Sequence, residues 1–475
     1  MSEIVRDETL TEYFLVARCR HPVFRHSLVT NLLQFTGQNH NSRMIENDIA
    51  TEKALPGLRE LIRTYLWLKL LIAMALGVGT GFLLLNLSEK YPGTWVAVLA
   101  DWLALPGSVY LTVIQMVVVP LILSSIVLAL SQISQGGKAK KIATTAVVYI
   151  MCSTAIAATI GITVVEIIKP GEAIQESAKS MGQMDVSARP GLNITPQTIV
   201  KLIPENILGS LISGNLQEII LIAIVFGLVF SRMDRDKSRT FLEFLVGTKA
   251  LCMQIITWTV RLAPYAIFGL MVRAIVNSGA SVLLGMAGYL FSVMLAFLLL
   301  AVVYLLWLMC IGTGPLIFLQ KSKEPLLLAF SLSSSAATMP TTIQTAKDKF
   351  KIQPEIADFL IPLGTSVNMA GSALWMSSAT LFLAQAFGGD IDLPTVITII
   401  LMTVGASLGT PGVPGAGLGV LSSTLRSVGV PPSGMPLILG IDRLVDMGAT
   451  VMNVMSDLVM CLTAQWNINR QERKK

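Results

Sequence analysis

Eight long apolar segments dominate this sequence, and each can cross the hydrocarbon core of a bilayer as a helix of about 20 residues. Of the 475 residues, 53% are hydrophobic and 13% are charged. A soluble domain carries about twice that share of charged residues. The chain is therefore predicted to be an all-α membrane protein. The predicted spans are 64–86, 105–132, 143–168, 198–231, 246–277, 281–311, 355–386 and 435–464.

Two further apolar stretches, 313–346 and 395–428, are broken by Ser, Gly and Pro and are predicted to be re-entrant hairpins. The first has a serine-rich centre followed by Pro340, which suits the opening of a second half-helix. The second has four glycines and two prolines within 407–417. Non-helical backbone is tolerated inside a membrane where it lines a cavity, so both tips are predicted to border a site. The two hairpins enter from opposite faces, which predicts inverted repeats.

Lys and Arg cluster on one face of the predicted spans. Because basic residues concentrate in cytoplasmic loops, both termini are predicted to be cytoplasmic and the protein to lie in the cell (inner) membrane. The net charge of +6 is thus interpreted as a topology signal, and no nucleic-acid partner is predicted. The clusters are Lys138, Lys140 and Lys141; Arg232, Arg235, Lys237 and Arg239; Lys321 and Lys323; Lys347, Lys349 and Lys351; and Arg470, Arg473, Lys474 and Lys475.

Enzymatic chemistry finds no support in the sequence. The five cysteines are single and unpaired in pattern, which favours core packing, and all three histidines precede the first span. The spans contain neither GxSxG nor HExxH. Residues 1–62 lack the features of a secretory signal and are interpreted as a cytoplasmic extension. Within it, residues 13–33 could form an amphipathic helix on the membrane surface. The alternatives are that the extension is a loosely ordered leader, or that the start codon has been assigned too early.

The last span carries a polar stripe. Asp442, Asp446, Thr450, Asn453 and Asp457 follow one another at spacings of 4, 4, 3 and 4 residues, so they share one helical face. An acidic side chain at the centre of a membrane helix costs roughly 2.5–3.5 kcal/mol on insertion scales. Three of them must face protein, water or a bound cation. A purely structural hydrogen-bond network is the alternative, and it fits Asp442 best.

A second polar break lies at 364–372, inside the seventh span. Unwinding there would free carbonyl oxygens beside the side-chain oxygens of Asn368, Asn453 and Asp457. Such hard oxygen ligands suit an alkali cation, whereas Met369 offers a soft thioether contact. A helix kink that packs on a neighbour is the alternative for this break taken alone.

These motifs together resemble the dicarboxylate/amino acid:cation symporters, the family of the glutamate transporters. The resemblance rests on the first tip ending at Pro340, the Asn368-Met369 break, the tip at 412–417 and the Asp446 to Asp457 pattern, in the family's order and spacing. It covers roughly residues 64–465 and implies a homotrimer with an elevator mechanism. A scaffold stays fixed, a transport unit slides, and the second hairpin serves as the gate.

The resemblance divides the chain into four parts. Residues 1–62 form the cytoplasmic extension. Residues 63–311 mainly form the scaffold and the trimer contacts, although spans 3 and 6 contribute to the transport unit. Residues 312–465 form the core of the transport unit, and residues 466–475 form a basic cytoplasmic tail. In the family, the counterpart of Asp446 holds the substrate ammonium, and those of Asn453 and Ser335 hold the α-carboxylate. The implied substrate-binding residues are Ser334, Ser335, Ser372, Val413, Gly417, Asp446, Ala449, Thr450 and Asn453.

The resemblance also implies two sodium sites. One is formed by Gly364, Asn368, Asn453 and Asp457, and the other by Ser366, Met369 and the backbone of Ser407, Leu408 and Thr410. Many members complete a further site with an aspartate where this chain has Ala370, together with hydroxyls that Ser153 and Thr154 supply here. Fewer coupled sodium ions, or coupling to a proton carried by Asp446 or Asp457, are therefore expected.

Ala449, like Ala370, departs from the family's pattern, because members that carry acidic substrates have an arginine at this position. A substrate carboxylate left unpaired in a buried pocket would cost several kcal/mol. Arg443 lies about 600° from Ala449 around the helix, at 100° per residue, and is not expected to replace it. Cation-coupled symport or exchange of a neutral amino acid is therefore predicted, and no catalytic residue. The alternatives are an acidic amino acid or C4-dicarboxylate symporter, a proton-coupled or uncoupled transporter, and a channel or transport-dead sensor.

Overall fold

The computed structural model describes residues 66–91, 93–131, 137–175, 203–389, 392–410, 412 and 415–472. The described residues are predominantly helical, and no β-strand occurs among them. The predictions for residues 1–62, for Val413 and for the last three residues of the tail lie outside this part of the chain.

Sixteen α-helices, α1 to α16, occur in the described residues. In chain order they are α1 Leu66–Lys90, α2 Trp95–Ser131, α3 Gly137–Ile168, α4 Ile207–Ser213, α5 Leu216–Phe230, α6 Arg235–Val260, α7 Ala263–Ser278, α8 Ser281–Cys310, α9 Pro315–Leu332, α10 Ser335–Asp348, α11 Pro354–Val367, α12 Ala370–Ala386, α13 Leu393–Ser407, α14 Ala416–Ser427, α15 Met435–Leu439 and α16 Asp442–Glu472.

Six of these helices are long and apolar enough to cross a membrane, namely α1, α2, α3, α6, α8 and α16. Three shorter apolar helices, α5, α7 and α13, add to them. Their outward faces carry many exposed large apolar side chains, such as Trp102, Phe291 and Leu298. Because exposed apolar surface of this extent is unfavourable in water, the helices are suited to a lipid environment.

Two predicted spans are divided where a residue cannot continue the helix. The 198–231 span consists of α4 and α5, separated by Gly214, whose φ of 68° lies in the left-handed region that ends helices. The 246–277 span consists of α6 and α7, and Pro264 stands in the first turn of α7. Of the cysteines, Cys252 and Cys461 are buried as predicted, whereas Cys152 and Cys310 are exposed.

Two broken helix pairs pack against α16, and the tip of a third approaches it. In the first predicted hairpin, α9 ends at Ser333, whose φ of 49° is left-handed, and Ser334 caps α10. The predicted break in the seventh span separates α11 from α12 at Asn368 and Met369. The second predicted hairpin is formed by α13 and α14, and the described residues between them, 408–410, 412 and 415, are not helical. The middle of α16 therefore faces three interrupted backbones.

The second hairpin also contacts α2. Gln115 donates a hydrogen bond from Nε2 to Ser422 Oγ over 2.8 Å and accepts one from Arg426 at Oε1 over 3.1 Å. The backbone of Gly419 approaches Val118 and Ile114 so closely that an added Cβ there would overlap Val118. These contacts hold the outer surface of α14 against α2.

Candidate functional site

The polar stripe of α16 is buried. Asp442, Thr450 and Asn453 are 3–4% exposed and Asp457 is 0% exposed. The side chain of Asp446 keeps more access, at 24%. Since burial of an ionised carboxylate is costly without a partner, these side chains need compensating contacts. The stripe predicted from the sequence therefore lies on the inward face of α16.

A small cavity lies between α16 and the three helix breaks. Its volume is about 20 Å³. That is room for about one water molecule, so an organic substrate requires the surrounding elements to separate. The cavity is lined by Ser333, Ser335, Met369, Ser372, Trp375, Thr410, Gly412, Gly415, Gly417, Asp442, Asp446, Thr450 and Asn453.

The two hairpin tips close this cavity by direct contact. Ser334 Oγ donates to the carbonyl oxygen of Gly412 over 2.9 Å, and the backbone N–H of Ala336 donates to the same oxygen over 3.3 Å. Both bonds use the N-terminal turn of α10, where Ser334 Oγ also accepts from the N–H of Ala337. A helix N-terminus carries a partial positive charge, so this turn suits a carboxylate. Ser335 Oγ is buried beside it without a hydrogen-bond partner.

Asn453 connects α16 to the break in α11 and α12. Its Oδ1 accepts from the N–H of Gly371 over 2.8 Å. Its Nδ2 donates to Ser372 Oγ and to Met369 Sδ, both over 3.2 Å. These bonds fix the amide with its donor group toward the cavity wall. Ser372 and Asn453 are thus brought together, as the sequence predicts for a substrate pocket.

Asp457 lies one turn deeper, against the same break. Its Oδ1 accepts from Asn368 Nδ2 over 2.9 Å, whereas its Oδ2 is buried with no hydrogen-bond partner. Gly364 is so close that an added Cβ would overlap Oδ1. A buried carboxylate oxygen without a partner requires an explanation, and a cation provides one. Three members of the first predicted cation site therefore lie together, and the bonds of Asn453 place it near the same break.

Substitution of Gly364 by alanine is expected to weaken the binding of a cation at Asp457. The new methyl group would displace the Asp457 carboxylate, and overpacking of this kind costs about 1–3 kcal/mol. The cation concentration for half-saturation should rise about tenfold or more. Titration of the purified protein with sodium measures it. Gly79→Ala is the matched control, since nothing lies within 4 Å of a Cβ on Gly79, and an equal shift in both variants contradicts the assignment.

The second predicted cation site is brought together in part. Met369 and Thr410 line the cavity, and Leu408 follows directly on the end of α13. The Ser407 hydroxyl donates to Val404 within its own helix, which does not involve the backbone carbonyl of Ser407 that was predicted as the ligand. Ser366, by contrast, lines a separate cavity, where its neighbours include Lys249 of α6.

A cluster of hydroxyl groups occupies the region where Ala370 was expected to leave a cation site incomplete. Ser153 Oγ bonds to Tyr304 Oη over 2.8 Å and to Ser456 Oγ over 3.3 Å. Asn368 Nδ2 in turn donates to Ser456 Oγ over 3.0 Å. Thr154, the other predicted hydroxyl, has a buried oxygen without a partner. The sequence analysis missed Tyr304 and Ser456, because they come from other helices and neither belongs to a motif.

Arg443 contacts the polar stripe. Its Nη1 lies 3.3 Å from Asp446 Oδ2, and its side chain is buried. Arg443 and Asp446 are three residues apart and share a helix face, whereas Ala449 lies on a different face. Arg443 is therefore in contact with the carboxylate predicted to hold the substrate, a contact that was not predicted.

Ala449 does not line the cavity. It is 2% exposed, and its carbonyl oxygen packs against Gly371 so closely that a Cβ on Gly371 would overlap it. Trp375, by contrast, lines the cavity and packs on Gly417, and the sequence analysis did not single it out. Its position one turn after Gly371 was the available signal, since i and i+4 share a helix face.

Comparison with known proteins places this arrangement in a family. The model of the sodium:dicarboxylate symporter family matches residues 66–466. The chain is 29% identical to the proton/glutamate-aspartate symporter of Escherichia coli over 86% of its own length and 94% of that protein.

Two further relatives come from Bacillus subtilis. The proton/sodium-glutamate symport protein is 30% identical, over 76% of this chain and 85% of that protein. The C4-dicarboxylate transport protein is 28% identical, over 78% of this chain and 88% of that protein. The matched region contains α1 to α15 and most of α16, with all three helix breaks and the polar stripe. The chain belongs to the sodium:dicarboxylate symporter family, a family of membrane transporters and not of enzymes.

Proposed function

We propose that this protein is a secondary active transporter that couples the movement of a cation, sodium, to symport or exchange of a neutral amino acid. The observation that carries the proposal is the pair of inward-facing carboxylates Asp446 and Asp457 on α16. Asp446 borders the closed cavity, and Asp457 has an oxygen without a partner three turns further along. One carboxylate is suited to a substrate ammonium and the other to a cation.

The proposed substrate is chosen because the two charged groups of an α-amino acid match the groups at the two sides of the cavity. An α-amino acid would place its ammonium at Asp446 and its carboxylate at the N-terminal turn of α10, near Ser335 and Asn453. These contacts would add to the bond that already joins the α10 turn to Gly412.

The cation side rests on the ligand chemistry near Asp457. Carboxylate, amide and backbone oxygens at Gly364, Asn368 and Asp457 are hard donors that suit sodium. No group of three or more His, Cys, Asp or Glu side chains exists among the described residues to bind a transition metal. With Ala370 and a hydroxyl cluster at the third predicted position, fewer sodium ions are expected to be coupled than in relatives with an aspartate there.

The neutral substrate is proposed because Ala449 is uncharged, at the position where family members that carry acidic substrates are expected to have an arginine. An acidic amino acid is the second candidate, since the guanidinium of Arg443 is present beside Asp446 and two of the relatives above are named as glutamate symporters. Proton coupling is the alternative for the driving ion, and the name of the Escherichia coli relative supports it.

The proposal extends to architecture. The segment 312–465 would slide as a transport unit against a scaffold formed mainly by 63–311, in a homotrimer in the cell (inner) membrane with both termini cytoplasmic. The contact of α2 with α14 through Gln115 would be one of the contacts between the two parts that must break and re-form. Re-entrant elements of this kind are typical of alternating access.

Uptake into proteoliposomes tests the proposal. Radiolabelled serine, alanine, threonine and cystine are offered with and without an inward sodium gradient, and a proton gradient is imposed separately. Accumulation that requires the sodium gradient is expected. Uptake that is unchanged when every ion gradient is removed contradicts coupling. Counterflow separates a carrier from a channel or a transport-dead sensor, because a channel shows no saturable exchange of labelled for unlabelled substrate.

An Ala449→Arg variant is expected to shift selectivity toward aspartate over serine by about tenfold or more, because the new guanidinium can pair with a side-chain carboxylate. Competition of unlabelled aspartate and serine against labelled substrate measures this ratio. Ala449→Gln is the matched control, which adds similar length without charge. If both variants leave the ratio unchanged in folded protein, the pocket has been placed wrongly.

A further inference from the structure

The charges around the cavity form a compact group. Asp442 and Asp446 both line the cavity, and Arg443 stands between them in sequence. Nη1 of Arg443 lies 3.3 Å from Asp446 Oδ2. Lys and Arg are absent from the cavity lining. Arg443 instead lies behind the lining, in contact with Asp446, and the group of Asp442, Arg443 and Asp446 has a formal charge of −1.

Only part of the hydrogen-bonding capacity of the Arg443 guanidinium is satisfied. Its Nη2 is buried and has no hydrogen-bond partner. The side chain is 8% exposed, so water does not compensate for the missing bond. A Cβ added to Gly415 would lie 3.9 Å from Nη2 and 3.0 Å from Tyr110 Oη, which places the guanidinium under the tip of the second hairpin. A buried and unsatisfied donor is costly, so its retention calls for a role other than packing.

Charge balance supplies that role. A pocket of formal charge −1 is neutralised by one ammonium, while the carboxylate of an amino acid is received separately at the α10 turn. Without the guanidinium, the pocket would carry −2 and would be balanced by two ammonium groups. Because charges in a desolvated pocket interact strongly, one unit of charge is enough to change which substrate is preferred.

We infer that Arg443 is a specificity-determining residue that fixes the pocket at one net negative charge and so selects amino acids with a single ammonium group. The inference rests on the proposed function, namely amino acid transport through this pocket. It differs from the pairing of an arginine with a substrate side chain, because Arg443 acts through Asp446 and through the total charge. Asp442 is the second determinant of that total.

Two nearly isosteric ligands, homoserine and 2,4-diaminobutyrate, test the inference. Homoserine has a hydroxyl group at the end of its side chain, and 2,4-diaminobutyrate has a second ammonium group there. Each competes with labelled serine in counterflow on full-length protein in liposomes. In Arg443→Gln, the ratio of their half-inhibitory concentrations is expected to shift toward diaminobutyrate by about tenfold or more. Arg443→Lys keeps the charge and should stay within about threefold of the wild type. Arg426→Gln, an exposed arginine of α14, should do the same.

A compensating variant separates charge from structure. Asp442→Asn alone makes the pocket formally neutral and should shift the ratio away from diaminobutyrate. The double variant Arg443→Gln with Asp442→Asn restores −1, and its ratio should return to near the wild-type value. A purely structural role for Arg443 would not be rescued by the loss of a second side chain.

The outcomes are distinct. If Arg443→Gln shifts the ratio no more than Arg426→Gln does, or if the double variant keeps the full shift, the inference is overturned. If Arg443→Gln does not fold, as judged by size-exclusion chromatography, the absence of a shift in Asp442→Asn overturns it equally. If the wild-type protein is not inhibited by homoserine at all, the proposed neutral substrate fails and the role of Arg443 is not the cause.

Discussion

Asp446→Asn is expected to lose high-affinity amino acid uptake while the protein remains folded. The substitution keeps the size of the side chain but removes the charge that an ammonium would meet, and it leaves Arg443 without its partner. Removing one partner of a buried ion pair costs roughly 3–5 kcal/mol, which is on the order of 100-fold or more in affinity. Counterflow of labelled serine over a wide concentration range measures the change in apparent affinity.

The control for this prediction is Asp442→Asn. Asp442 lines the same cavity but makes no ion pair within 4.0 Å in the described residues, so its loss should weaken uptake less than the loss of Asp446. Equal effects of the two substitutions would show that the ammonium has no preferred carboxylate. Full activity of Asp446→Asn would remove the proposed ammonium site.

Asp457→Asn is expected to abolish the sodium dependence of uptake. The Asp457 side chain is fully buried, and one of its oxygens has no protein partner. An amide of the same shape cannot supply the charge that stabilises a cation there, and the loss is again about 3–5 kcal/mol. The sodium concentration that half-saturates uptake should rise on the order of 100-fold or beyond the measurable range.

Ser456→Ala is the matched control for Asp457→Asn. Ser456 is the preceding residue, it is equally buried, and it bonds to the same amide of Asn368. It carries no charge, so its loss should change the sodium dependence by about tenfold or less. If Ser456→Ala removes the sodium dependence as fully as Asp457→Asn, the hydrogen-bond network and not the carboxylate controls the coupling.

The sequence predicted the parts of the site that depend on helical periodicity and on residues that stop helices. The 4, 4, 3 and 4 spacing on α16 predicts one face, and that face is buried in the structure. The serine-rich and glycine-rich tips predict interruptions, and the helices end there. Both signals are local, because they depend on backbone geometry within a few residues.

Contacts between distant segments could not be predicted in the same way. The bond from Ser334 to Gly412 joins residues 78 positions apart, and its formation depends on how two hairpins are docked. The hydroxyl cluster of Ser153, Tyr304 and Ser456 combines three separate helices. Serine and tyrosine are common on buried helix faces, so Tyr304 and Ser456 are not distinctive before the helices are packed, and Ser153 was named only through the family resemblance.

Side-chain length explains why the contact of Arg443 with Asp446 was not predicted. A helical wheel gives the direction of Cα to Cβ, whereas a guanidinium at the end of a long chain reaches along the helix to a neighbour at i+3. Side-chain length also explains the position of Ser366. Its side chain is too short to reach another face of the helix, so it lines the cavity beside Lys249 on the face that the backbone sets.

The most direct test uses one protein with both carboxylates of α16 removed. Asp446→Ala/Asp457→Ala is reconstituted beside the wild type, and labelled serine is followed as it accumulates above its outside concentration under an imposed sodium gradient. The wild type is expected to concentrate serine and the double variant to reach no more than equal concentrations on the two sides. Accumulation by the double variant, at any rate that exceeds protein-free liposomes, would contradict the claim that a buried ammonium site and a buried cation site drive transport.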